Sequence, residues 1–153
     1  RAGASMVEMA VVTPILVLLL FGILEMGLLI KDYLGISQAA REGVRTAAVG
    51  STQATIDARI DSSAPTIDTT QLTWQGFWRQ YNESTGTWDA TWSPLLDTGS
   101  GADVRNDAPP GAQVKISAEY PHQLVTGALF AHLADPTNPG VLTVRANLVM
   151  RRE

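Results

Sequence analysis

Between residues 9 and 30 the chain offers one ionisable side chain, Glu25, in an otherwise apolar run of Leu, Ile, Val, Met and Gly. After that run the pattern changes without stopping. Tyr33, Ile36, Ala40, Val44 and Ala47 recur at spacings of three and four, with Lys31, Asp32, Arg41, Glu42 and Arg45 at other positions. This is the rhythm of one face of a helix. One continuous helix over residues 6–49 is expected, on the order of 65 Å long, and Gly50-Ser51-Thr52 is its stop signal. Pro14 removes one backbone hydrogen bond and is a kink position. Gly22, Gly27 and Gly35 allow another backbone to come close. About 20 apolar residues rise roughly 30 Å, the thickness of a bilayer's hydrocarbon core. A secretory leader would have a shorter apolar region followed by a small-x-small cut site. Here the run passes straight into the amphipathic half. A domain of about 100 residues cannot bury such a segment, so it sits in lipid or against copies of itself.

Beyond residue 50 the periods shorten. "QATIDARIDSS" (53–63) sets Ile56 and Ile60 four apart beside Ala54 and Ala58, a second short helix ended by Pro65. Residues 66–70 read as a Thr/Asp linker. "QLTWQGFWRQYNESTGTWDATWSPLL" places Trp74 and Trp78 on one strand face and Phe77 and Tyr81 on the other. Its "NESTG" is a turn signal, so a hairpin is expected, although positions 74, 77, 78 and 81 also fit a helical face. "AQVKISAEYP" (112–121) alternates Val114, Ile116, Ala118 and Tyr120 inward against Lys115, Ser117 and Glu119. "GVLTVRANLVMRRE" alternates Leu142, Val144, Ala146, Leu148 and Met150 in the same way, and the two strands are natural partners. Between them, residues 122–139 hold Leu124, Leu129, Phe130 and Leu133, a short apolar helix or loop. The fold class is α+β: a long helix over residues 1–50, with residues 6–30 as anchor or core, packed on a small antiparallel sheet domain over 51–153.

Charge and composition narrow the chemistry. The net charge is -4, and basic residues cluster only at Arg41/Arg45 and Arg151-Arg152, so there is no nucleic-acid footprint. The chain has no Cys, which removes disulfides, thiol nucleophiles and thiolate metal sites. Asp97, Asp103 and Asp107 lie in the Gly/Asp/Pro loop "DTGSGADVRNDAPPG", but their spacing matches no calcium loop. Asn82-Glu83-Ser84 is a glycosylation-type triplet of low specificity. His122 and His132, ten apart with no evident carboxylate or Cys partner, read as ordinary surface or packing histidines. There is no nucleophile–base pair, phosphate loop or metal triad. No enzyme, cofactor or metal is expected. Trp74, Trp78, Trp88 and Trp92 could form a surface patch for sugars or adhesion, but packing in the core and between subunits is the better-supported use of such large rings.

The two carboxylates of the apolar half remain. A charge at membrane depth is expensive and marks a functional site by default. Glu25 is near the end of the run, where it could either reach the interface or stay within the core or membrane segment. Glu8 is different, directly after the small residues of "RAGAS". "RAGASMVEMAVVTPILVLLLFGILEMG", followed by "AAREGVRTAAVG", resembles the start of TadE-like proteins, the pilin-like subunits of tight-adherence pilus systems in the wider type IV pilin-like class. "LTVRANLVMRRE" resembles their last strand. The resemblance covers residues 1–50 and 141–153. It implies a pilin-like fold and processing between Gly3 and Ala4, which makes Glu8 the fifth residue of the mature chain. The major pilins of such systems are shorter and carry Glu-Tyr where this chain has Glu8-Met9, so the larger TadE-like type is the nearer likeness.

In that class the fifth-position carboxylate offsets the α-amine of a neighbouring subunit and sets axial register. The resemblance therefore implies a structural subunit that leaves the inner membrane for an extracellular filament, as major or minor component. Val11, Pro14, Leu16, Leu19, Leu20, Ile23 and Glu25 would lie in its core. Its partners would be copies of itself and the pilus assembly machinery. The alternative is a membrane-anchored assembly factor whose periplasmic domain binds partners and never polymerises.

Overall fold

The structure is a computed structural model. It describes residues 2–127, 134–138 and 140–153, with side chains of the first helix from Met6 onward. Helix α1 runs Ala2–Ala48 without interruption. Pro14 lies inside it, where neighbouring turns keep the ladder going. The helix ends at Gly50, whose φ of +87° is the left-handed geometry that lets a chain turn off a helix. Space there is as tight as the dihedral: a Cβ on Gly50 would come within 2.6 Å of an Arg152 guanidinium nitrogen.

Helix α2 spans Gln53–Ser63, and the Thr52 hydroxyl accepts from the Thr55 N–H as its N-cap. Strands β1 (Thr73–Arg79), β2 (Tyr81–Asn82), β3 (Thr87–Trp88), β4 (Ser93–Pro94), β5 (Asp97–Thr98) and β6 (Arg105–Asn106) follow, then two long strands, β7 (Gln113–Gln123) and β8 (Val141–Arg151). The main sheet is ordered β4-β1-β7-β8, every pair antiparallel. The expected hairpin exists as β2–β3, closed around residues 83–86 with Tyr81 opposite Trp88. Pro121 is tolerated inside β7 because the strand has by then outrun β1, which pairs only as far as Glu119.

The alternation read from the sequence is the alternation of burial. Val114, Ile116, Ala118 and Tyr120 of β7 are buried and face the helices. Against them pack Ile36, Ala39, Ala40, Val44 and Ala47 of α1 and Ile56 and Ile60 of α2. The α1 side of this core is built from small residues because α2 and the sheet crowd it: a Cβ on Gly43 would lie 2.8 Å from Ile60. Both helices thus cover one face of the sheet and leave the other bare.

Two details of the expected helical face are corrected. Tyr33 is half exposed rather than part of the buried stripe, and Asp32, expected outside, is buried. The C-terminal residues close the far end of α1. Asn106 is buried and donates to the carbonyls of Ala47 and Ser51 at 2.8 and 3.0 Å, and Arg152 donates to the Asn106 side-chain oxygen at 2.6 Å. These contacts give a second donor to the Ala47 carbonyl, which also accepts from the Gly50 N–H, and a partner to the Ser51 carbonyl just past the helix.

Candidate functional site

Along α1 the environment changes at residue 25. Residues 6–24 touch almost nothing. Val11, Leu16, Leu19, Leu20 and Ile23 are each more than half exposed, and Glu8 is exposed with no partner among the described residues. The hydropathy is high enough to cross a membrane, with a mean of 2.5 over an 18-residue window of which none is buried. The surface is apolar around its whole circumference, as a helix must be when lipid or other helices surround it. At 1.5 Å per residue this bare shaft is about 28 Å long, close to one hydrocarbon thickness. Near its lower end Gly22 and Gly27 open an apolar groove of about 550 Å³ with Leu18, Leu19, Ile23 and Met26. Gly3 and Ala4 fall on the first turn of the helix, and their side-chain surroundings lie outside the described residues.

At residue 25 the head takes hold of the helix. Glu25 is 5% exposed, and its carboxylate lies among four donors or potential donors. The backbone N–H groups of Val125 and Thr126 donate to it at 3.1 and 3.0 Å, and the Thr126 hydroxyl donates at 2.7 Å. The fourth is Nε2 of His122, 3.4 Å away. The other ring nitrogen, Nδ1, lies 2.7 Å from Asp32. A singly protonated imidazole can donate to one of these carboxylates and an imidazolium to both. Lys31 adds a cation 3.5 Å from Asp32 at the solvent edge. The cluster therefore joins α1 to the end of β7 and the segment after it. Its carboxylate oxygens are taken up in holding the chain.

This arrangement corrects two expectations. His122 is neither a surface histidine nor one without a carboxylate: it is buried between two. Glu25 is neither a snorkelling side chain nor part of the bare shaft's apolar surface. Both placements leave a trace in the sequence. His122 continues the even-numbered inward parity of β7, and Glu25 and Asp32 are seven apart, two turns along one helical face. His132 lies outside the described residues.

The tryptophans do not form one patch. Trp74 and Trp78 are on the inner face of β1 and pack against the core, and the Trp74 indole donates to Asp57 of α2 at 2.7 Å. Trp88 and Trp92 belong to the connection between β1 and β7 and lie on the bare side of the sheet, where Arg79 stands over both. Asp97 and Asp107 act as acceptors for the N–H groups of Gln53 and Leu96. No group of three or more potential metal ligands occurs among the described residues.

Residues 3–45 match the family model described as TadE-like protein. The matched segment is the shaft plus most of the packed half of α1, and it contains Glu8 and "AAREGVR". The likeness seen in residues 141–153 falls outside it. No curated protein matches the chain, and no solved structure does. The match suggests a pilus-associated protein with an apolar N-terminal helix. The helix itself is a candidate membrane anchor.

Proposed function

We propose that the chain is a structural subunit of a pilus filament, held in the inner membrane by residues 6–24 until it assembles. The observation that carries this reading is the bare shaft. It is apolar on every side, unburied among the described residues, and carries one carboxylate, Glu8, that no described residue satisfies. Lipid can cover the apolar surface before assembly, and equivalent helices can cover it afterwards. Glu8 then meets the α-amine of a neighbouring subunit, freed by processing between Gly3 and Ala4. Pairing makes both charges tolerable and fixes register. The groove at Gly22 and Gly27 is a place where a neighbouring helix can approach closely.

A second reading keeps the subunit permanently in the membrane as an assembly factor. It draws on the match between the shaft's length and one hydrocarbon thickness. Glu8 discriminates the two, because a plain anchor has no use for a carboxylate at that depth. The test is to shear material from cells, image it by cryo-electron microscopy, and read the subunit N-terminus by mass spectrometry. Filaments of this chain beginning at Ala4 are the expected result, with assembly lost in Glu8→Ala. A chain confined to the membrane fraction, indifferent to Glu8→Ala, would establish the anchored reading instead.

A further inference from the structure

The bare face of the main sheet carries a construction that neither the shaft nor the Glu25 cluster uses. Strand register brings Phe77 opposite Lys115 and Arg79 opposite Gln113 on the side away from α1 and α2. The Arg79 guanidinium carbon lies 5.8 Å from the Trp88 ring centre and 4.5 Å from that of Trp92. The Lys115 nitrogen lies 4.5 Å from the same Trp92 centre and 4.6 Å from that of Phe77. Rings and cations alternate in a ladder: Trp88, Arg79, Trp92, Lys115, Phe77. Because both cations sit on Trp92, their charged centres are at most about 9 Å apart.

Among the described residues neither cation has a carboxylate partner. Arg145 and Arg151 of β8 share this face; its carboxylate Glu119 is taken by Arg145 at 3.1 Å, and Asp89, between the two Trp, accepts from the Gln80 N–H at 3.2 Å. The face is thus cationic in a chain whose net charge is -4. A free surface Lys or Arg samples many rotamers. Here three rings, and the Gln113 side-chain oxygen that accepts from Arg79 at 2.9 Å, hold two like charges close together, a repulsive placement that an incoming anion would relieve.

We propose that this face binds an acidic polysaccharide. The fixed cations supply the charge complement. The surrounding side chains, Thr73, Gln75, Gln113, Ser117 and Asn147, are hydroxyls and amides suited to a hydroxyl-rich chain. A shallow hollow of about 120 Å³ between Thr73, Gln75, Ser117 and Glu119 continues the track. β7 and β8 are each 11 residues long, so the track extends roughly 35 Å, the shape of a linear polymer rather than a small ligand. Nucleic acid fits less well, because bases need open ring faces to stack on and the Trp92 face is taken by cations. A second copy of the chain fits less well too. Both helices lie on the opposite side of the sheet, so helices gathered around an axis leave this face pointing outward. The inference does not depend on polymerisation, since the face is equally bare on a single anchored chain.

The test uses the full chain in detergent micelles and immobilised polygalacturonate as probe. Neutral dextran, polythymidylate and polyglutamate are the comparison surfaces. Retention on polygalacturonate that weakens as salt is raised is expected, with little on dextran. R79Q/K115Q should weaken it at least tenfold, Lys115→Gln alone by about threefold or more, and Lys115→Arg should keep it. Arg59→Gln removes a cation from α2, on the other side of the sheet, and should change nothing. Near-ultraviolet circular dichroism checks folding, and Lys115→Gln decides the matter if the double variant misfolds. Absence of retention would overturn the proposal. So would equal losses in Arg59→Gln and the ladder variants, or binding to polythymidylate or polyglutamate as tight as to polygalacturonate.

Discussion

Residues 6–24 and 25–48 belong to one continuous helix, interrupted only by the hydrogen bond that Pro14 cannot make, yet they are apolar for different reasons. The outer half uses large side chains on all sides, and among the described residues it meets the head only at its inner end, where Phe21, Ile23 and Leu24 lie beside Val125 and Thr126. The inner half uses Ala39, Ala40, Gly43, Ala47 and Ala48 on one stripe, because α2 and the sheet lie against it. The carboxylates follow the same division. Glu25 is held by donors of its own chain, whereas Glu8 meets no partner among the described residues. Backbone conformation is therefore a poor guide to what a helix is for. Side-chain size and the fate of its charges separate a surface that folding consumes from one left for lipid or copies of the same chain.

The largest expected effect breaks the inner half. Glu25→Ala leaves His122, Val125 and Thr126 without their acceptor, and removing one partner of a buried charge cluster costs about 3–5 kcal/mol. The melting temperature of the head in detergent should fall by roughly 10 °C or more. Glu8→Ala should leave that melting temperature where it is. The next effect breaks the outer half alone. Leu19→Arg places a charge mid-span, worth about 3 kcal/mol against insertion. Fractionation should move the chain out of the membrane while the head keeps its near-ultraviolet spectrum. Gln38→Arg, on the exposed side of the inner half, should do neither.

Smaller changes sharpen the boundary. Gly43→Leu drives a side chain into Ile60 and Ile116 and should destabilise the head by about 1–3 kcal/mol in chemical denaturation. Gly27→Leu, where a Cβ meets nothing within 4 Å, should leave head stability unchanged and fill the groove on the shaft instead. Smallest is Thr52→Ala, which removes the α2 cap just beyond the inner half and should cost about 1 kcal/mol, a shift of a few degrees in melting temperature.

Much of this was written in local patterns. The length of α1, its stop near Gly50, α2, the hairpin around residues 83–86 and the pairing of the two long strands all follow from periodicity and turn chemistry, which act between near neighbours. The Glu25 cluster was not legible in the same way. His122 is 97 residues from Glu25 and 90 from Asp32, and no local signal links them. Its inward parity in β7 was visible, but a histidine on a buried face announces no partner until the other element is in place. Spacing left open whether the four tryptophans pack or form a patch, because it does not show that Trp74 and Trp78 face the core while Trp88 and Trp92 fold back across the outer face of β1.

The sequence by itself determined that half of a long helix is too apolar for water and too large for its own head to cover. That property depends on side-chain transfer free energy, summed residue by residue, and needs no coordinates. Only the tertiary structure decided which carboxylate is satisfied and which is left over. It alone shows that the head first grips the helix at Glu25, inside the apolar run, and that two cations meet three rings on the sheet's bare face. Those outcomes are set by distances between residues far apart in the chain, which exist only once α1, α2 and the sheet have closed on one another.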